Sequence, residues 1–189
     1  MAQLIYDQTF NKQTTSTVAF EQTEFECCVF EHCDFSEAQW TQTTFVDCDF
    51  IHCNLSMVGI HQTSLKNVRF ETCKMLGFAF HRCQDFLFEV SFANCILDFS
   101  NFTNKKMPKT RFISCTLKEA TFDHTVLTGA LFESCILTNA LFYNTQLDAA
   151  NFVTAQDFKI DPAINSLKKA QFAAYGLIGL LDKYDIKVV

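Results

Sequence analysis

An all-β solenoid with four sides per coil is the fold class this sequence predicts, and three regularities predict it. From Phe20 to Phe80 every fifth residue is large and apolar; after a two-residue slip the frame resumes at Leu87 and runs to Phe152, and all 27 positions hold to it. Two residues upstream of each stands something small or β-branched, with Phe78, Asp85 and Lys105 as the exceptions. The third regularity is a longer period. Cys33, Cys53 and Cys73 lie 20 apart, as do Cys95, Cys115 and Cys135, and Phe30, Phe50, Phe70, Phe92, Phe112, Phe132 and Phe152 form a column with the same offset slip. A period of five matches neither the 3.6 of a helix nor the 2 of a strand, so the chain must turn a corner once per repeat. Units of this kind bury their apolar residues only by stacking on their neighbours.

Residues 1–17 carry Phe10 in frame but Gln13, Thr14 and Thr15 do not fill it, and we read them as an N-terminal lead-in strand or cap. A solenoid end needs such a cover, because a bare last coil exposes core and unpaired strand edges. Residues 18–174 are the repeat domain. Its slip at 81–87, through His81, Arg82, Cys83, Gln84, Asp85 and Phe86, predicts a bulge or projecting corner, with Leu87 inward as the next frame residue. The run Thr103 to Lys109 stays in frame yet puts Lys105 in an inward slot; a distorted side is expected there, the lysine escaping outward. The frame frays from Gln156 to Ile164 and returns at Leu167, Ala170 and Phe172. Residues 175–189 form the last segment. There Leu177, Ile178, Leu180, Leu181 and Tyr184 have helical spacing, and strand-like Ile186, Val188 and Val189 follow. One face of that helix would cap the last coil, and the surplus apolar residues suit a twofold dimer interface.

The exterior is charged unevenly. Glu21, Glu24, Glu26, Glu31, Asp34, Glu37, Asp47 and Asp49 all fall on outward slots, with no Lys or Arg between Gln13 and Leu65. Residues 1–100 carry net −8 and residues 101–189 net +2. Such a collar either keeps a Phe-rich rod dispersed in water or presents a platform to a basic partner.

Ten cysteines in an even count raise disulfide or metal readings. Eight of them occupy the small inward slot, where a free thiol acts as a small hydrophobe. His32 and His52 stand one coil apart, but Cys33 and Cys53 beside them point inward while the imidazoles point out, so no metal site and no cofactor is expected. No phosphate-binding loop, nucleophile elbow or zinc-protease motif is present, and a filled rod offers no cleft for convergent groups, so a non-enzymatic protein is expected. With no signal-like opening and no apolar run of about 18 residues, a cytoplasmic location is the expectation.

The segments Thr121-Phe122-Asp123-His124, Ala130-Leu131-Phe132-Glu133-Ser134 and Ala150-Asn151-Phe152-Val153-Thr154 resemble the consensus of the pentapeptide-repeat proteins. That resemblance implies a right-handed quadrilateral β-helix. The ending, Asp161-Pro162, Asn165, Leu167-Lys168-Lys169-Ala170-Gln171-Phe172 and Gly176-Leu177-Ile178-Gly179-Leu180-Leu181, resembles the subgroup that protects DNA gyrase from quinolones or peptide toxins. Cys53-Asn54-Leu55-Ser56 through Gln62-Thr63-Ser64 to Cys73-Lys74-Met75-Leu76-Gly77 looks like that subgroup's albicidin-resistance member. The subgroup implies a homodimer joined at the C-termini that imitates DNA and binds DNA gyrase or topoisomerase IV. Direct contact with nucleic acid or membrane is not expected. Its quinolone-resistance members carry long projecting loops, which this chain lacks. The other reading of the residues is a scaffold or regulatory solenoid with no topoisomerase contact.

Overall fold

The computed structural model describes residues 3–184 and 186, and in it each five-residue repeat is one side of a four-sided coil. The repeat encodes the side directly. Two alternate residues point inward, their neighbours point out, and the fifth turns the corner in the left-handed backbone region, from Asp7 at φ +50° to Lys169 at φ +62°. That region suits Gly, Asn and Asp, yet this chain uses Gly there only at Gly77 and Gly129. The corners hold because their N–H groups bond to the next coil, as His32 N does to the Ile51 carbonyl at 2.9 Å.

Coils stack in parallel and in register, so residues about 20 apart become neighbours. Side I starts at strand Gln3–Tyr6 and continues through Thr23–Glu26, Thr44–Val46 and Ser64–Lys66. Side II is a seven-stranded sheet, from Thr9–Asn11 to Leu131–Glu133. Bridges through Asn151 to Gln171 prolong it. Side III is held by isolated bridges such as Asp34 with Asn54, and side IV includes the pair Gln39–Thr41 and Gly59–His61. The chain runs I, II, III, IV and begins again.

The core is a set of columns. Along side II, Phe10, Phe30, Phe50, Phe70, Phe92, Phe112, Phe132, Phe152 and Phe172 stack nearly parallel, with centroids between 4.6 and 5.4 Å apart. Phe80, Phe102, Phe122 and Phe142 do the same on side IV at 4.5 to 5.0 Å. Rings from the opposite sides II and IV meet edge to face, as Phe112 and Phe122 do at 6.0 Å and 88°, which is an electrostatically preferred pairing. The small inward residues form columns of their own. On side I, threonine hydroxyls donate to carbonyls of the preceding coil: Thr63 to Trp40 at 2.9 Å and Thr125 to Phe102 at 3.0 Å. On side III the six cysteines from Cys33 to Cys135 lie in one buried line, and Cys53 and Cys73 donate in the same way, each at 3.2 Å.

Nine of the ten cysteines are buried and all are free thiols; Cys27, at a corner, is exposed. Burial pushes the Cys48 and Cys83 thiols up to about 12, so they stay protonated and unreactive. A thiol titration is therefore expected to count one sulfhydryl in the native protein and ten after denaturation. Several reactive thiols before unfolding would contradict the closed core.

The slip departs from expectation in two places. Cys83 keeps the first frame and is buried, but Leu87 swings outward with Phe86, 63% and 71% exposed, and Phe88 turns back toward the core in its stead. Lys105 does not escape: it is 2% exposed. Its Nζ donates to the Cys83 carbonyl, forms an ion pair with Asp85 at 2.6 Å, and lies 4.9 Å from the Phe88 ring centroid. Lys105 stands in the threonine column of side I. The two inserted residues displace the carbonyls that a short hydroxyl would reach, and a lysine spans the gap. An unpartnered lysine would have been driven out by desolvation; the insertion itself supplies the partners. Lys105→Met leaves that carbonyl unpaired and is expected to cost about 2–4 kcal/mol, read as a lower urea midpoint at unchanged slope.

The C-terminus also differs in detail. Within the frayed stretch, Phe158 is buried although out of frame, and Ile160 is buried in the upstream inward slot. Asn165 takes the threonine slot, donating to the Phe142 and Asp161 carbonyls and accepting from Thr145 N–H. The helical spacing is realised as two 3-10 helices, Ala174–Leu180 and Asp182–Tyr184. The segment is too short and glycine-rich to propagate an α-helix. Gly179 is required by close approach, since a Cβ there would sit 2.1 Å from the Phe158 carbonyl. Ion pairs Lys183–Asp161 at 2.6 Å and Lys159–Asp182 at 3.1 Å tie the segment down. The Lys183 ammonium holds the Asp161 carboxyl below the usual carboxylate range. Of the strand-like tail, Ile186 is exposed, and Val188 and Val189 lie outside the described residues.

Candidate functional site: an acidic collar and an apolar end

Because Phe20, Phe25, Phe30 and Phe35 are fixed inward, the carboxylates beside them are fixed outward. Glu24 and Glu26 flank Phe25 on side I, and Asp47 turns the corner between sides I and II. Glu31 and Asp49 lie on side II, Asp34 on side III, Glu37 on the next corner, and Glu21 on side IV. The fold thus spreads the eight around the rod as a collar rather than gathering them on one face. Asp7, an exposed corner residue one coil above Cys27, extends it.

Half of the collar is tied into the protein itself. Asp49 makes a two-pronged pair with Arg69, at 2.6 and 3.2 Å. Asp47 accepts from Asn67 at 2.6 Å and Glu31 from Asn11 at 2.9 Å. Asp34 accepts from the Ser36 hydroxyl at 2.7 Å and from Asn54 at 3.1 Å, and those bonds, Ser36 first, hold its carboxyl below the ordinary range. Among the described residues, no hydrogen bond engages the carboxylates of Glu21, Glu24, Glu26 or Glu37; the side chains that bond Glu21, Glu26 and Glu37 reach their backbone carbonyls instead. Sequence reasoning treated all eight alike. The signal that separates them was present, since Arg69 and Asn67 stand 20 residues after Asp49 and Asp47, which is one coil.

His32 and His52 stack 4.8 Å apart with rings 3° from parallel, so their nitrogens run side by side rather than converging. Among the described residues, no group of three or more His, Cys, Asp or Glu side chains is placed to hold a metal ion. No described helix is long and apolar enough to cross a membrane.

At the other end, Leu177, Ile178, Leu181 and Tyr184 are exposed, whereas Leu180 turns inward and packs on the core. Leu141, Tyr143 and Tyr175 extend the exposed apolar surface. Two open grooves of about 280 and 740 Å³ flank the segment, the first floored by Phe142 and Ile160, the second by Phe158 with Tyr175 and Ile178.

Family models and solved structures place this architecture. A model of a pentapeptide repeat region matches residues 23–85, and one of eight pentapeptide-repeat copies matches residues 115–153. No curated protein sequence matches the chain. Among solved structures, full-length QnrB1, a plasmid-mediated fluoroquinolone resistance protein, is similar with TM-score 0.57 at 15% identity, over 97% of this chain and all of that one. Trypsin-treated QnrB1 gives 0.57 at 16% identity over the whole of both chains. HetL from the cyanobacterium Nostoc sp. strain PCC 7120, a pentapeptide repeat protein involved in heterocyst differentiation regulation, gives 0.56 at 11% identity, over 92% of this chain and 88% of that one. At these identities the likeness is one of fold. Together the two family models span more than half of the 189 residues, their repeats are the sides of the coil described above, and the chain belongs to the pentapeptide-repeat family.

Proposed function

We propose that this protein is a non-enzymatic DNA mimic that binds DNA gyrase or topoisomerase IV and relieves its poisoning by a drug or peptide toxin. The acidic collar carries this reading. A duplex presents about one negative charge per ~1.7 Å of axis, so the ~7 Å covered by one and a half coils would hold about four. The collar places eight carboxylates there, spread around the rod, and among the described residues only Asp49 is paired with a Lys or Arg, while four have no internal hydrogen-bond partner at their carboxylates. The stacked phenylalanine core keeps that array at fixed spacing, so the ordering entropy of a flexible acidic tail is not lost on binding. The C-terminal half is net positive. Mimicry therefore belongs to the arms of the molecule.

Those arms are joined through the apolar end. The exposed side chains of Ile178, Leu181 and Tyr184 meet the flanking grooves of a second copy across a twofold axis, which puts the two acidic collars at the outer ends. Leu181→Asp is expected to give monomers in light scattering; a persistent dimer would reject this interface. The functional experiment is gyrase supercoiling across a titration of the protein, with and without a quinolone, albicidin or a gyrase-poisoning peptide. Rescue of the poisoned reaction, or inhibition of the unpoisoned one, is the expected result. Silence in every arm from a folded protein would favour a scaffold or regulatory role, in line with the likeness to HetL, a pentapeptide repeat protein involved in heterocyst differentiation regulation.

A further inference from the structure

The basic residues are as unevenly placed as the acidic ones. On side I and its corner with side II, the first three coils carry Asp7, Glu24, Glu26 and Asp47 and no Lys or Arg. The later coils carry Lys66, then exposed Lys106 and Lys109, then exposed Lys168 and Lys169; the acids among them are Asp85, paired with Lys105, exposed Glu89, and Asp148, which accepts from the Ser166 hydroxyl and the Lys168 N–H. One flat face therefore has a negative end and a positive stretch, separated by the Phe86–Leu87 projection.

We propose that side I is a self-complementary surface on which a second copy of this chain docks antiparallel, about a twofold axis lying across the coil that contains Leu65. Stacked register makes the pairing specific. An antiparallel twofold at that coil sets the Glu24 coil against the Lys106 coil, four coils away along the rod, and since both residues directly precede the inward residue of their side, they stand opposite each other. Glu26 faces Pro108 and lies beside Lys109. One coil nearer the axis, exposed Phe86 meets Val46, and one coil further out exposed Leu4 meets Val126. Two apolar contacts thus fall in the same register as two charge pairs. There are two mismatches: Lys66 meets its own copy at the axis, its Nζ leaning over the Phe86 ring 5.8 Å from the centroid, and the Asp47 coil faces the coil of Asp85 and Glu89.

A second copy is a better occupant of the basic stretch than a nucleic acid. The chain's formal net charge of −6 repels a long polyanion, whereas the partner's acidic patch is short and matches the coil of Lys106 and Lys109; Lys168 and Lys169 lie two coils beyond the facing surface. Seven facing coils bury on the order of 400 Å² per partner, below the size of a stable interface, so the association is weak and reversible. Its consequence rests on the proposed function: Glu24 and Glu26 cannot face a copy and a basic enzyme at once, so self-pairing withholds the collar.

The test is sedimentation equilibrium in the Leu181→Asp background, which removes the tail contact, at 0.15 M salt and protein up to about 1 mM, where the ~8 Å screening length mutes net repulsion but not contact pairs. The parent is expected to self-associate. K106E/K109E and E24K/E26K should each weaken association at least tenfold, and the quadruple variant, with the pairs restored in reverse, should recover to within about threefold. Far-ultraviolet circular dichroism checks that each surface variant is folded. Association unaffected by either double variant, or a quadruple variant that stays monomeric, overturns the proposal. So does a parent that does not associate but shifts a DNA duplex in a gel through Lys106 and Lys109. None of these readouts involves a topoisomerase, so failure here leaves the functional reading to its own assay.

Discussion

Phe112→Ala is expected to lower the stability of the protein by about 3–5 kcal/mol, the range for emptying a fully buried aromatic site. Phe112 has no exposed surface. It is stacked between Phe92 at 5.1 Å and Phe132 at 4.9 Å, and meets Phe102 and Phe122 edge-on at 5.9 and 6.0 Å. Deleting the ring removes contacts on both stacking faces and two edges, and the hydrogen-bonded coils above and below cannot collapse into the space. The same change at Phe10, half-buried on the first coil with a single stacking neighbour, is expected to cost about 1–2 kcal/mol, because little of its surface is withdrawn from water. Denaturant unfolding of the two variants checks both. A solenoid couples each coil only to its neighbours, so Phe112→Ala should also lower the apparent slope if the halves on either side begin to unfold separately. Equal costs at the two positions would mean that the columns do not carry the stability.

Reversing Glu21, Glu24, Glu26 and Glu37 to Lys is expected to reduce gyrase affinity at least about 100-fold at low salt while leaving the melting temperature within a few degrees. These four are chosen because, among the described residues, no internal hydrogen bond engages their side chains; Asp49→Lys, by contrast, would set a lysine against Arg69 and confuse loss of binding with loss of fold. The change moves the formal net charge from −6 to +2 and places the new charge on the collar. Wild-type affinity should itself fall steeply as salt is raised, whereas the variant's residual binding should not. Unchanged affinity in the variant would reject the electrostatic basis of the proposal, whatever the supercoiling assay shows.

Much of this could be read from the residues before any coordinates. A central apolar residue every fifth position can be buried only if the chain turns after each repeat, and a twenty-residue recurrence of Cys and Phe leaves four as the number of sides. The inward and outward sets then follow from alternation, which is why the collar carboxylates are exposed and why eight of the cysteines lie in inward columns. These features are local in period, so one dimension is enough to hold them.

Where the period breaks, coordinates were needed. Nothing in the spacing of residues 83–89 distinguishes Leu87 from Phe88 as the inward residue, since a slip of two leaves both within reach of the core. Lys105 shows the reason most plainly. In isolation, a lysine in an apolar slot must leave, and only the stacking of one coil on the inserted corner of the coil before it places the Cys83 carbonyl and the Asp85 carboxylate where the ammonium needs them. The same holds for Asp49, whose charge is answered by Arg69 a full coil later, and for Phe158, buried out of frame because the terminal segment folds back over it. Periodicity determines which residues face the core; the free energy of a buried or exposed charge depends on what the adjacent coil brings within about 3 Å of it, and that is decided only when the coils stack.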